Sequence, residues 1–99
     1  MRNVVAGFDW DAGNREKCQK HGVSVAEIEF VLTNEPRVTP DPAHSGDEER
    51  FIGIGRTAEG KAIFGALTFR FEEGGRLVRP ISARYMHKKE IQAYEKKSS

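Results

Sequence analysis

The run from Lys61 to Phe71, KAIFGALTFRF, is apolar on both faces in its middle, and such a run belongs at the centre of a β-sheet. A central strand needs a partner along each edge, and the chain supplies both close by. Arg50 to Thr57 alternates, with Ile52 and Ile54 on one side and Phe51 with two glycines on the other, and Ala58 to Gly60 turns it into the central run. Gly74 and Gly75 then turn that run into Arg76 to Arg84. The expectation is a three-stranded antiparallel meander. Pro80 has no N–H to give to a ladder, so the third strand is expected either at the sheet edge or bulged at that residue.

Ahead of the meander, Val4 to Trp10 reads as a short strand. Asp11 can cap a helix over Ala12 to Lys20, ended by Gly22 in a left-handed conformation. That helix has little to bury beyond Ala12 and Cys18, which predicts a surface helix with a thin contact stripe. Ser24 and Glu27 stand at the spacing of a capping box, and Val23 can staple onto Ile28. With Val25, Ile28, Val31 and Leu32 on one stripe, a helix from Val25 to about Thr33 is expected to pack on the core. Asn34 to Asp47 is rich in proline and turn formers and reads as a loop with at most a short edge strand near Val38. Met86 to Lys97 reads as a closing helix with His87, Ile91 and Tyr94 on one face. The fold class is α+β, expected as a single domain over residues 1–99.

At 37% hydrophobic and 31% charged, the chain has the balance of a soluble globular protein, and no apolar run approaches the roughly 20 residues of a membrane span. The start, MRNVVAGFDWD, meets acid too early for a signal peptide. The single cysteine, Cys18, has no internal disulfide partner and suits a reducing cytoplasm. It reads as a small packing residue.

The net charge of +1 hides an asymmetry: residues 1–49 hold 5 Lys/Arg against 10 Asp/Glu, and residues 50–99 hold 11 against 5. The second half is therefore the one that would meet a polyanion. Its cations concentrate in RLVRPISARYMHKKE, Arg76 to Glu90, where Arg76, Arg79 and Arg84 precede His87, Lys88 and Lys89.

RNA cleavage without a metal needs a base for the 2′-hydroxyl proton, an acid for the leaving oxygen, and cations where charge builds on phosphorus. His21, His87, Glu49 and Tyr94 are candidates for proton transfer; Lys20, Arg50, Arg79 and Arg84 are candidates for charge. Each has a plainer explanation. Lys20 and His21 end a helix whose dipole favours cations there, His44 sits in the proline-rich loop, and His87 and Tyr94 can pack at the core edge. Arg79 and Arg84 fall on opposite faces of a regular strand, whereas a bulge at Pro80 would bring both to one side.

The order FDWD, KHGVS (Lys20 to Ser24), DPAHSGDEERF (Asp41 to Phe51), IGIG (Ile52 to Gly55) and RPISAR, followed by a helix with Glu90 and Tyr94, resembles the BrnT family of toxins from bacterial type II toxin–antitoxin pairs. The resemblance runs from about Phe8 to Glu95. It implies a fold similar to the RelE and ParE toxins, a compact antiparallel sheet with two N-terminal helices packed on one side, and a metal-independent endoribonuclease that stops translation. It implies no cofactor. The implied partner is a BrnA-like ribbon-helix-helix antitoxin, with operator DNA reached only through it. Carried over by motif, Lys20 and His21 fall on the family's KH step, Glu49 and Arg50 on its ER step, and Arg79 and Arg84 on the two arginines around ISA. Those positions, save Glu49, are the expected catalytic set; Glu49, His87 and Lys88 are expected to bind substrate. Tyr85, Met86, His87 and Lys88 depart from the small or threonine residues of relatives. A non-catalytic RNA- or antitoxin-binding module, or a gyrase poison on the same fold, stays open.

Overall fold

The computed structural model describes residues 5–98. Among them the chain forms β1 (Val5–Phe8), α1 (Ala12–Gln19), α2 (Val25–Thr33), β2 (Arg37–Pro40), β3 (Phe51–Arg56), β4 (Ala62–Glu72), β5 (Gly75–Tyr85) and α3 (Lys88–Ser98), with a single 3-10 turn at Pro42–His44. The class is α+β. The strands make one sheet in the order β1-β5-β4-β3-β2. β2 to β5 pair antiparallel in succession, so the expected meander is present with one strand more, at an edge that tolerates Pro40.

The sheet is nevertheless mixed, which corrects the expectation of an antiparallel one. β1 runs parallel to β5, with Val5 opposite Arg76 and Phe8 opposite Val78. A parallel pair is joined by a long crossover and leaves no turn signature between its strands, so nothing local in the sequence announces it. Of the strand expected over Val4 to Trp10, Val4 lies outside the described residues and the strand ends at Phe8, with Asp9 N–H still donating to the Val78 carbonyl at 2.8 Å.

β5 lies between β1 and β4, so Pro80 is not on an edge. It sits at a bulge: Ala66 pairs with Ser82 and Leu67 with Pro80, leaving Ile81 as the additional residue. Asn14 fastens this irregularity. Its Nδ2 donates to the carbonyls of Asp9 at 3.0 Å and Pro80 at 2.9 Å, linking α1 to both the exit of β1 and the bulge. The buried residues of α1 are thus Asn14 and Cys18, while Ala12 is exposed. Asn14 also completes the cap with Asp11: its N–H donates to Asp11 Oδ1 at 2.9 Å, and Asp11 N–H donates to its Oδ1 at 2.7 Å. α1 ends at Gln19 with Lys20 as its cap, and Gly22 has the left-handed φ of 90°.

α2 carries the capping box read from the sequence, with Glu27 N–H donating to Ser24 Oγ at 3.1 Å and Ser24 N–H donating to Glu27 Oε1 at 3.0 Å. Ile28, Val31 and Leu32 join Val23, Cys18, Ile63, Leu67, Val78 and Ala83 in the core. The glycines of IGIG let α2 come close to β3. A Cβ on Gly53 would lie 2.9 Å from Leu67 Cδ2 and 3.0 Å from Leu32 Cδ2; one on Gly55 would lie 2.9 Å from Val31 Cγ1. Trp10 adds a tie from the other side, its Nε1 donating to Glu29 Oε2 at 2.9 Å.

α3 starts later than expected, at Lys88, so His87 precedes the helix and is exposed. Ile91 and Tyr94 do face the body, lining a cavity of about 80 Å³ with Ile54 and Met86. Among the described residues no helix is long and apolar enough to cross a membrane.

Asn14→Ala strips the buried Pro80 carbonyl of its donor, and the part-buried Asp9 carbonyl of one of its two, and is expected to lower stability by about 1–3 kcal/mol, read from urea unfolding. An unchanged midpoint would show that water or relaxation satisfies Asp9 and Pro80. Gly55→Ala pushes a methyl against a Val31 side chain that a helix holds in one rotamer, with an expected cost of about 1–3 kcal/mol.

Candidate nucleic-acid interface

Cross-strand partners share a face of a sheet, so the register locates the arginines. Phe64, Ala66 and Thr68 alternate along β4 and lie on the face away from Leu67 and the core. Their β5 partners are Arg84, Ser82 and Arg79, which places both arginines on that outer face. The bulge makes this possible, since in an unbroken strand residues an odd number apart point opposite ways. Arg56, opposite Ala62, and Arg70, opposite Leu77, occupy the same face. Arg50 continues the β3 ladder, its carbonyl accepting from Asp41 N–H at 2.8 Å, and alternation assigns it the outer position. The result is a cationic sheet face whose middle row, Ile52, Ala66 and Ser82, is low.

Four of these cations are matched by carboxylates. Arg84 makes a two-pronged pair with Glu90, NH1 to Oε1 at 2.7 Å and NH2 to Oε2 at 2.8 Å, with its guanidinium 4.6 Å from the centroid of Phe64. Glu90 Oε1 also accepts from His87 N–H at 2.9 Å, the backward reach of a residue in the first turn of a helix. The hydrogen bonds from Arg84, then from the His87 N–H, hold the Glu90 carboxyl down at about 2. Arg56 pairs with Glu95 at 2.7 Å, Arg70 with Glu48 at 3.2 Å, and Arg79 with Asp11 at 2.7 Å and Asp9 at 3.4 Å. Hydrogen bonding from the Asn14 backbone and then from Arg79 holds Asp11 below the usual carboxylate range. Among the described residues Arg50 has no carboxylate partner.

Lys20 and His21 are exposed at the C-terminal end of α1. What lies beside them came from outside the motif. Tyr85 stands on the helix-bearing face opposite Ile63, and its hydroxyl donates to Glu27 Oε1 at 2.7 Å while lying 3.4 Å from the carbonyl of Gly22, the residue after His21. Lys61 Nζ lies 5.4 Å from the centroid of the Tyr85 ring. Glu27, stabilised as an anion first by the Ser24 backbone N–H and then by the tyrosine, raises the Tyr85 pKa, so this phenol is a donor. Tyr85 and Arg84 are consecutive, so the end of β5 carries a phenol on one face and a guanidinium on the other.

The expected site residues therefore divide. Arg79, Arg84 and Arg50 share the outer face, with exposed His87 and Lys88 following Arg84. Lys20 and His21 stand on the other side of β5, beside Tyr85. Glu49 separates from Arg50, because adjacent residues point opposite ways: its carbonyl accepts from Thr68 Oγ1 at 2.8 Å, and it lines a groove away from the arginines. Tyr94 sits under Arg37, whose guanidinium is 5.5 Å from its ring. His44 is exposed and bonded to Asp41 at 2.9 Å. Cys18 is fully buried and burial pushes its thiol up to about 11, which suits packing and not nucleophilic work. Sequence reading misses Tyr85, Glu27 and Lys61 as a group because their meeting beside Gly22 spans the whole fold; the spacing marks Glu27 only as a cap.

A family model described as the ribonuclease toxin BrnT of type II toxin–antitoxin systems matches residues 10–90. No curated protein matches the chain.

The Arg84–Glu90 pair gives a pH signature. A carboxyl whose folded pKa is depressed contributes stability above its ordinary value, here 4.5, and loses it as pH falls toward the folded value of about 2. NMR titration is expected to find Glu90 near 2 in the native protein and raised in Arg84→Ala, though still below 4.5 because the His87 N–H bond remains. An ordinary value with Arg84 present would show the pair to be open in solution.

Proposed function

The chain belongs to the BrnT ribonuclease toxins of type II toxin–antitoxin systems, and from that premise we propose a cytoplasmic, metal-independent endoribonuclease that cuts RNA and arrests translation. Its fold is read as RelE-like, a single domain over residues 1–99. A BrnA-like ribbon-helix-helix antitoxin neutralises it, and the complex reaches operator DNA only through that antitoxin.

The observation that carries the reading is the alignment of Arg79 and Arg84 on one sheet face by the Pro80 bulge. An RNA strand lying along the Ala66–Ser82 row meets Arg84 on one side and Arg79 with Arg50 on the other. The arginines neutralise phosphate and stabilise charge developing on phosphorus; His21, with Lys20 adjacent, is the proton-transfer group, and because it stands across β5 from the arginines the RNA reaches it around the end of that strand. His87 and Lys88 contact substrate beside them, whereas Glu49, turned to the groove on the other face, does not. Tyr85 keeps the KH step in place through Gly22 and Glu27. To bind phosphate, Arg84 exchanges Glu90 for the incoming anion, a substitution of one oxyanion for another that leaves its fork geometry intact.

The carboxylate pairs favour a second reading, in which the arginines are structural and the chain is a non-catalytic RNA- or antitoxin-binding module. Expression in a host lacking the antitoxin separates the two. The native protein is expected to arrest growth and generate new RNA 5′ ends; Arg84→Ala is expected to lower cleavage by about 10²–10³-fold, and His21→Ala by about 10²–10⁴-fold, in folded protein. Cleavage in vitro is expected to persist in EDTA. Arrest without new ends would point to the binding module or to a gyrase poison. For Arg50→Ala the expected effect is weaker RNA binding with a salt slope shallower by about one.

A further inference from the structure

We propose that the apolar groove on the helix-bearing face of the sheet is the docking site for a basic, amphipathic segment of the antitoxin. The proposal rests on the type II reading for the partner being a protein, and it assigns the partner a surface other than the arginine face. The groove encloses about 650 Å³ between α2, β2 and the β4–β5 hairpin, with Leu32, Val38, Phe51, Phe69 and Phe71 among its walls. These are positions that face the core elsewhere on the same strands; here α2 has ended and, among the described residues, no element covers them. Phe71 is 81% exposed and Val38 40% exposed. A large aromatic so far out of the core, at the rim of an apolar trough, is the kind of residue on which protein interfaces concentrate their affinity.

Charge selects the occupant. The two segments that bound the groove hold Asp47, Glu48 and Glu49 before β3, and Glu72 and Glu73 at the hairpin turn. Against them stand Arg70, paired with Glu48 at 3.2 Å, and Arg76, lying 4.2 Å over the ring of Phe69. Among the described residues Asp47, Glu49, Glu72 and Glu73 have no cationic partner. A nucleic acid would be repelled by this rim. A second copy docking face to face would bring the two acidic rims together, which disfavours self-association as well. A segment with two or three bulky apolar side chains on one stripe and Lys or Arg on its flanks satisfies both the walls and the rim. This is the same charge sign that would make the partner attractive to DNA, while the arginine face stays turned away from it.

The test uses the full-length toxin and the full-length antitoxin encoded beside it. Phe71→Ser removes the exposed anchor and Glu73→Lys reverses rim charge, each at an exposed position. Each is expected to weaken the toxin–antitoxin complex by roughly tenfold or more, so that coexpressed antitoxin no longer relieves growth arrest, while RNA cleavage by the free toxin equals that of the native protein. Native affinity in both variants overturns the proposal and leaves the toxin reading standing. Absence of a complex with the native toxin overturns both. A concentration-dependent dimer of the native chain that Phe71→Ser abolishes would assign the groove to a second copy, and a loss of RNA binding in Phe71→Ser would assign it to substrate; either result overturns the proposal.

Discussion

The bulge at Pro80 and the side chain that fastens it are what the rest of this molecule hangs on. Pro80 cannot donate to β4, and Ile81 is left over in the pairing, so the interior strand of the sheet carries a fault that must be held in one place. Asn14 holds it, giving one N–H to Pro80 and the other to Asp9, and thereby setting α1, the end of β1 and the fault in a single arrangement. The consequence for chemistry is a change of phase. Upstream of the fault Arg79 faces outward and downstream Arg84 does too, although they lie an odd number of positions, five, apart in sequence.

The cations gathered in this way do not stand alone. Arg84, Arg56, Arg70 and Arg79 each hold a carboxylate, and two of those carboxylates, Glu90 and Glu95, come from α3. Such pairs in partly exposed positions contribute modestly to stability, because water and salt screen them. Their larger effect is geometric. They keep each guanidinium extended and oriented over the sheet, and the fork that grips a carboxylate is the fork that grips a phosphate. Glu90 does a second job as the first-turn acceptor of α3, so the helix start and the arginine are set by one side chain.

The charge asymmetry along the chain becomes an asymmetry between surfaces. The basic second half supplies the outer face, while acids from the loop before β3 and from the β4–β5 turn border the apolar groove on the other side. Two surfaces of opposite sign thus lie one sheet thickness apart.

Much of this was legible in local patterns: both caps, the α2 stripe, the glycine turns and the central strand each rest on interactions within a few residues, which sequence spacing records directly. The same holds for the left-handed Gly22 and for the family motifs. What the spacing offered as alternatives, Pro80 at an edge or at a bulge and the arginines on one face or two, only the sheet could decide, because the first depends on β1 pairing with β5 from the far end of the chain and the second on where the β4–β5 register slips. Asn14 reads as an unremarkable helix residue until Pro80 lies beside it, and Tyr85 as a departure from a motif until Glu27 and Gly22 receive its hydroxyl. The sequence by itself determined which elements form and where the charge lies along them. Tertiary structure decided which charges share a face, since that depends on where the register of paired strands slips and on one polar side chain, carried in from α1, that is buried against the slip.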